Sequence, residues 1–321
     1  MAFGKDIGII GCGRWGSFIT WYLDRIGANV TLYGKSDSPN MIRLLKTRKN
    51  DLLSLRNSIT LTTDINDLKK FEIMIISIDS QGLRGLLHEL KDARVAPKTI
   101  VLCMKGLEIG SAKRLTEVVS DVMPDADSAV WIGPGHVQDF LSGIPNCMVI
   151  DSADEGLKKE LVQSFSGDLI RFYYGADLIG NEVGAASKNV IGIAAGILDG
   201  LGLAALKGAL MSRGTREIAR LIKAMGGNEL SAYGLCHLGD YQATVFSPYS
   251  HNRQYGESLA TGKEYNSLAE GYYTAKAMRT LGERYGTELP ICDSVYSVLY
   301  EGKAPRAAIE DLFLRAIKSE I

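Results

Sequence analysis

Short runs of Val and Ile alternate with amphipathic stretches as far as about Ala176. Candidate strands are Asp6–Ile10, Asn29–Tyr33, Glu72–Ile78, Thr99–Met104 and Ala129–Ile132, each short and rich in β-branched residues. Asn146–Ile150 and Leu169–Tyr174 extend the same pattern. Between the first two strands, Trp15, Phe18, Ile19, Tyr22, Leu23 and Ile26 recur at helical spacing, and Gly27 closes the helix. Strands alternating with helices predict an α/β, Rossmann-like doubly wound sheet. Beyond Ala176 the period changes. Val183, Val190, Ile191, Ala194, Ile197 and Leu201 fall at helical spacings in Asn181–Leu201, with Asn181 as the expected cap. Further helices are expected over Ala204–Met225, Leu268–Tyr285, Pro290–Tyr300 and Arg306–Lys318. The chain thus divides into a sheet domain over residues 1–176 and a C-terminal all-helical domain over 177–321.

Composition narrows this picture only slightly. A length of 321 residues suits about two domains. A net charge of −1 provides no global field for nucleic acid or an anionic membrane. Arg43 and Lys46–Lys49 form a basic stretch without interleaved aromatics, which reads as a solvated face rather than a nucleic-acid site. The apolar run near the start, about four residues, is too short for a signal peptide or a membrane span. Five cysteines without a CxxC pair, and four histidines without ligand spacing, argue against disulfides and against a metal site. A cytoplasmic location follows as the expectation. An apolar second domain of this size is compatible with a homodimer.

The chemistry begins at Gly11-Cys12-Gly13-Arg14-Trp15-Gly16. A strand precedes this motif and a helix follows it, the context in which G-x-G-x-x-G holds a dinucleotide. The first glycine makes the tight turn, the second lets the pyrophosphate approach, and the third packs helix on strand; the helix N-terminus then faces the phosphates. Residues 1–176 are therefore the expected dinucleotide-binding domain and 177–321 the substrate and catalytic domain. The second strand ends Tyr33-Gly34-Lys35-Ser36, with Asp37 two residues late for the usual ribose-binding acid. A cation at Lys35 suits a 2′-phosphate and favours NADP over NAD; the alternative is a solvated surface lysine.

In the second half, Asn181-Glu182-Val183-Gly184-Ala185-Ala186-Ser187-Lys188-Asn189-Val190 is followed by Ala195-Gly196-Ile197-Leu198-Asp199-Gly200-Leu201-Gly202. With Gly239-Asp240, Ser250-His251-Asn252-Arg253, Glu270-Gly271 and Lys105-Gly106-Leu107, this pattern closely resembles the soluble NAD(P)-dependent glycerol-3-phosphate dehydrogenases, in order and over nearly the whole chain. The resemblance implies a catalytic Lys188 with Asp240 and Thr244 as its polar surroundings. It implies substrate contacts from Lys105, Gly133, Gly135, Ser250, His251, Asn252 and Arg253. Cofactor contacts are implied for Gly11, Gly13, Arg14, Trp15, Gly16, Lys35, Lys105, Val137, His251 and Glu270. Two departures stand out. The family usually carries Arg-Asn-Arg after the serine at 250, where this chain has His251-Asn252-Arg253, and Gly133-Pro134-Gly135-His136-Val137-Gln138-Asp139 varies the usual loop. An imidazole, mostly neutral at pH 7, does not replace a bidentate guanidinium in kind.

Reduction of a ketone needs a donor for the developing alkoxide and an anchor for the charged end of a small phosphorylated substrate. Lys188 lies on a helix of Gly, Ala, Val and Ile, where a cation is costly to bury alone. That alone marks it, although a lysine reaching out to solvent is the alternative, as a turn-forming role is for Asp240. The expected function is reduction of dihydroxyacetone phosphate to sn-glycerol 3-phosphate with NAD(P)H, feeding phospholipid synthesis. Two other readings stay open: a reductase of another small hydroxy acid or phosphorylated ketone, or a dinucleotide-binding sensor without turnover.

Overall fold

The computed structural model describes residues 5–316. The chain falls into two compact units, one running up to Lys105 and resuming over Lys113–Leu178, the other made of Gly106–Ala112 and the chain from Ile179 onward.

The first unit is built on eight strands: β1 (Asp6–Ile10), β2 (Asn29–Tyr33), β3 (Thr60–Thr62), β4 (Ile73–Ile76), β5 (Thr99–Leu102), β6 (Asp127–Ile132), β7 (Asn146–Ser152) and β8 (Ile170–Tyr174). Between them run α1 (Arg14–Arg25), α2 (Pro39–Thr47), α3 (Leu83–Asp92), α4 (Leu115–Val122), α5 (Val137–Leu141) and α6 (Glu155–Phe165). The strand order is β3-β2-β1-β4-β5-β6-β7-β8. Ladders from β3 to β6 are parallel, β7 runs antiparallel to β6, and β8 runs parallel to β7. Chain order reverses between β1 and β4, which places the switch point of the doubly wound sheet at the carboxyl end of β1. Ile7, Ile9, Ile75, Val101 and Trp131 lie in the core of this unit, as expected for central strands covered on both faces.

Strands β1 and β2 have the bounds expected from their Val and Ile runs. β4 and β5 stop earlier than expected, because the chain leaves the sheet to form the loops at its carboxyl edge. Ser77 still donates to the Ile10 carbonyl at 2.8 Å, one residue beyond β4. β3 lay outside the expected strands: it is three residues long, polar, and pairs only with β2.

The second unit consists of α7 (Leu178–Gly200), α8 (Lys207–Ala224), α9 (His251–Thr261), α10 (Glu270–Tyr285), α11 (Pro290–Tyr300) and α12 (Pro305–Phe313), with no strand among the described residues. Asn181 does not cap α7. The helix begins at Leu178, so Asn181 already lies in its first turn. A 3₁₀ turn at Ala204–Leu206 leads into α8, and α12 ends at Phe313; Lys318, the expected end of the last helix, lies outside the described residues. Between α8 and α9 the backbone takes 3₁₀ turns at Glu229–Tyr233 and Leu238–Asp240, then a π turn at Gln242–Phe246. Leu107 and Ala112 are buried in the core of this unit, and Arg284 donates to the Ser111 carbonyl at 2.8 Å. These contacts explain why Gly106–Ala112 belongs with the helices. Among the described residues, no helix is long and apolar enough to cross a membrane.

Candidate functional site

In the sheet unit, the glycine motif forms the turn between β1 and α1. Gly11 has φ +111°, and a Cβ there would lie 2.0 Å from the Ser77 carbonyl oxygen. At Gly16 a Cβ would lie 1.9 Å from the Gly11 carbonyl, so both positions exclude any side chain. Gly13 is different: a Cβ there would meet nothing within 4 Å. The first and third glycines are needed by the protein, whereas the second opens onto space a ligand can use. Gly13 is the N-cap of α1, no side chain caps the helix, and its first turn carries no acid. These residues fit a bound pyrophosphate: Gly13 leaves the approach open, and neither a side-chain cap nor an acid occupies the first turn of α1.

Of the other residues expected at the dinucleotide, Arg14, Trp15, Lys35, Lys105 and Val137 belong to this sheet unit, whereas His251 and Glu270 lie in the helical unit. Arg14 begins α1 and is exposed. Trp15 packs its ring against Phe18 and Phe140, with centroids 5.1 and 6.2 Å apart. Lys35 follows β2 and pairs with Glu89 on α3 at 2.8 Å. That carboxylate raises the pKa of Lys35 above its ordinary value. Beyond β5, Lys105 donates to the Gly133 carbonyl at 2.6 Å, which ties it to the loop after β6. In that loop Gly135 has φ +141°, and a Cβ would press within 2.5 Å of the Phe140 ring. Val137, the first residue of α5, is buried.

In the helical unit, the decisive element is α7. Gly184, Lys188, Gly192, Gly196 and Gly200 recur every four residues, so they form one ridge along the helix. Added Cβ atoms would meet His237 at 3.1 Å from Gly184, Thr244 at 2.9 Å from Gly192, and the Arg253 carbonyl at 1.9 Å from Gly196. The glycines let the segment from His237 through α9 lie directly on the helix. Lys188 is the one long side chain on that ridge, and it enters the same packing layer.

Lys188 is 6 % exposed and does not reach out to solvent. Its ammonium forms an ion pair with Asp240, which is 1 % exposed, and donates to Thr244 Oγ1 at 2.9 Å. The π turn holding Thr244 packs one residue more into its loop than an α-helical turn, a distortion common at functional sites. A buried cation is retained only when paired and hydrogen-bonded, and here it has both. Asn252, in the first turn of α9, donates from Nδ2 to Asn189 Oδ1 at 3.1 Å and accepts the Gly271 N–H at 2.8 Å. The structure therefore brings Lys188, Asp240, Thr244 and Asn252 onto adjoining faces of one unit.

The remaining residues are engaged in distinct ways. Ser250 caps α9, its hydroxyl accepting the Arg253 N–H at 3.3 Å. Arg253 Nε donates to Asp199 at 2.6 Å, and Lys207 reaches the same carboxylate at 2.7 Å. His251 is half-buried with Nδ1 2.7 Å from the Tyr265 hydroxyl. Glu270 opens α10. Two polar neighbours escaped the sequence reading: Asn189, next to Lys188, and His237, fully buried behind Gly184. Asn189 carries no signal beyond its adjacency, whereas the four-residue glycine spacing, unread in the sequence, could have marked a face of α7 packed closely by another segment.

Comparison with known proteins finds similarity over nearly the whole chain. The model of the NAD-dependent glycerol-3-phosphate dehydrogenase N-terminus matches residues 6–158, and that of the C-terminus matches residues 177–310. The glycerol-3-phosphate dehydrogenase [NAD(P)+] of Bradyrhizobium sp. (strain ORS 278) is 36% identical, with 98% of each chain covered. Its counterpart from Anaeromyxobacter dehalogenans (strain 2CP-C) is 34% identical over 98% of this chain and 99% of the relative. The crystal structure of glycerol-3-phosphate dehydrogenase from Coxiella burnetii superposes with a TM-score of 0.91 at 27% identity, covering 98% of this chain and all of that one. A glycine turn whose shape fits a pyrophosphate, a buried lysine paired with an aspartate, and matches spanning both units converge on one conclusion: the chain belongs to the NAD-dependent glycerol-3-phosphate dehydrogenase family.

Proposed function

We propose that this protein catalyses the reversible reduction of dihydroxyacetone phosphate to sn-glycerol 3-phosphate with NADPH or NADH, supplying glycerophospholipid synthesis. The observation that carries the reading is the buried Lys188 ammonium, held by Asp240 and Thr244. A reduced nicotinamide supplies the hydride. Lys188 Nζ holds a proton and gives it to the carbonyl oxygen as negative charge develops there. Asp240 keeps the amine charged and aimed, and Thr244 fixes the third direction around Nζ. Asn252 uses one Nδ2 hydrogen on Asn189, which leaves its second for the substrate. Ser250, His251 and Arg253 sit at or next to the N-terminus of α9, where charge and backbone dipole suit a phosphate. Lys105 with Gly133 and Gly135 is assigned to substrate on the sheet side. Gly11, Gly13, Arg14, Trp15, Gly16, Lys35, Lys105, Val137, His251 and Glu270 are assigned to the dinucleotide.

The functional division follows the chain at about Ala176, with most of the dinucleotide contacts assigned to the sheet side, His251 and Glu270 excepted, and proton transfer to the helical side. NADP is the favoured cofactor. The Lys35–Glu89 pair is exposed, such pairs contribute at most about 1 kcal/mol, and the lysine is readily given up to a 2′-phosphate. Five thiols without a disulfide partner support a reducing, cytoplasmic setting. A homodimer is the assembly to test by sedimentation.

The test follows NADPH oxidation with dihydroxyacetone phosphate, with unphosphorylated dihydroxyacetone and with NADH in parallel. Rapid oxidation that needs the phosphate is expected. Lys188→Met is expected to lower turnover about 10²–10⁴-fold while NADPH still binds, and Lys35→Ala to lower the NADPH/NADH preference. Oxidation that survives in Lys188→Met, or is indifferent to the phosphate, overturns the proposal.

A further inference from the structure

His237 and Tyr241 form a buried polar pair directly behind the Lys188–Asp240 site. Both are fully buried. His237 Nδ1 lies 2.9 Å from the Gly184 carbonyl, so this nitrogen must carry the hydrogen. Nε2 is then a lone pair, and it accepts the Tyr241 hydroxyl at 2.7 Å. Ser187 Oγ completes the cluster, 3.2 Å from the Gly184 carbonyl and 3.4 Å from Nδ1. Burial pushes the imidazole down to about 4, with the Lys188 charge acting in the same direction against the Gly184 carbonyl and Asp240. The ring is therefore neutral near pH 7, as the Nδ1–H tautomer.

The anchoring point determines what the pair does. Gly184 stands four residues before Lys188 on the glycine ridge of α7. Its missing side chain lets the His237 backbone approach, since a Cβ there would lie 3.1 Å from His237 Cβ. From His237 the chain enters the 3₁₀ turn Leu238–Asp240, and the Asp240 N–H donates back to the His237 carbonyl at 3.0 Å. Asp240 thus hangs from His237 by a single tight turn. Where the imidazole is pinned to α7, the carboxylate is pinned relative to the next rung, Lys188.

We propose that His237, held in its Nδ1–H form by Tyr241, is a positioning residue that sets the Asp240 carboxylate against the Lys188 ammonium. The assignment rests on the catalytic role given to Lys188 above. His237 touches neither substrate nor cofactor in this role. It acts through Asp240, and displacement of such a group by about 1 Å costs about 10²-fold in rate.

The test uses the full chain with His237→Ala, His237→Asn, Tyr241→Phe and Lys188→Met, measuring kcat, KM for dihydroxyacetone phosphate, NADPH Kd and the pH profile of kcat. His237→Ala is expected to lower kcat about 10–100-fold, displace the pH profile, and leave both KM and NADPH Kd nearly unchanged. Asparagine places an Nδ2–H where Nδ1–H stood, and so restores most of kcat. Tyr241→Phe costs a few-fold. In ¹⁵N NMR, His237 shows Nδ1 protonated and Nε2 bare, without titrating down to about pH 5. A folded His237→Ala with the parent kcat and pH profile overturns the proposal, as does equal loss in Ala and Asn, or a ring protonated at Nε2. If His237→Ala does not fold, the Asn and Phe variants and the ring tautomer decide. Turnover surviving in Lys188→Met overturns the functional assignment and this inference together; an inactive Lys188→Met beside a fully active His237→Ala overturns the inference alone.

Discussion

Asn252 and Asn189 are joined side chain to side chain, Asn252 Nδ2 donating to Asn189 Oδ1 at 3.1 Å, while Asn252 Oδ1 accepts the Gly271 N–H at 2.8 Å. One amide therefore fastens α7 to the first turns of both α9 and α10. Its two ends are separable by substitution. Asn252→Ala loses both bonds and is expected to cost about 1–2 kcal/mol of stability and at least tenfold in kcat/KM. Asn252→Asp keeps the acceptor for Gly271 but not the donor. Thermal unfolding should then recover toward the parent while kcat/KM stays low, since a carboxylate also repels a phosphate. An Asp variant with full activity would remove Asn252 from the substrate site.

The ridge on α7 makes a second prediction. An alanine at 196 would place its methyl group 1.9 Å from the Arg253 carbonyl and 2.7 Å from the Glu257 nitrogen, and both are backbone atoms with little room to yield. The expected loss is about 1–3 kcal/mol from overpacking, against a gain of under about 1 kcal/mol in helix propensity. Packing wins. Gly208 on α8 is the control, since a Cβ there meets nothing within 4 Å, and Gly208→Ala should leave the unfolding temperature unchanged or raise it. Activity should fall in Gly196→Ala alone, because the shifted helix carries Asn252 and Arg253. Equal melting temperatures for the two variants would sink this account.

Glu217 predicts a pH dependence of stability. It lies on α8, is 1 % exposed, and accepts the N–H groups of Ile291 at 2.8 Å and Cys292 at 3.0 Å, capping α11 from outside. Burial raises its pKa from the ordinary 4.5 to about 7, more than those two donors lower it. The folded state therefore binds this proton more tightly than the unfolded state. The contribution is most favourable below about pH 4.5, declines as pH rises, and is fully lost above about 7, a span on the order of 3 kcal/mol. Glu217→Gln removes the titration. The unfolding midpoint of the parent, measured against this variant, should fall between pH 5 and pH 8. A difference that stays flat over that range would mean the carboxylate is ionised throughout.

Much of this was legible in the residues. The Ile and Val runs of β1 and β2 mark buried strands, and the glycine motif between them locates the turn from β1 into α1. Lys188 stands out because a lysine among Gly, Ala and Ile needs a partner, and Asp240 is that partner. The stretch between α8 and α9 was opaque for a physical reason: 3₁₀ and π turns of three to five residues have no 3.6-residue period to detect. His237 and Tyr241 were missed there. A histidine four residues before a tyrosine has the same spacing as an ordinary core pair, and only the Gly184 carbonyl reveals its direction. The antiparallel placing of β7 was also hidden, since parallel and antiparallel neighbours share the same apolar run.

The excursion of Gly106–Ala112 into the helical core has a consequence for how this protein can be divided. The chain passes from one unit to the other after Lys105, returns after Ala112 and leaves again after Leu178, so no single cut separates them. A fragment stopping at Leu178 would strand Leu107, which is 0% exposed in the intact chain, in water. The complementary fragment would have a hole where that side chain belongs. The two halves are therefore not interchangeable cassettes. A sheet unit grafted onto a foreign helical unit would have to bring a matching plug with it.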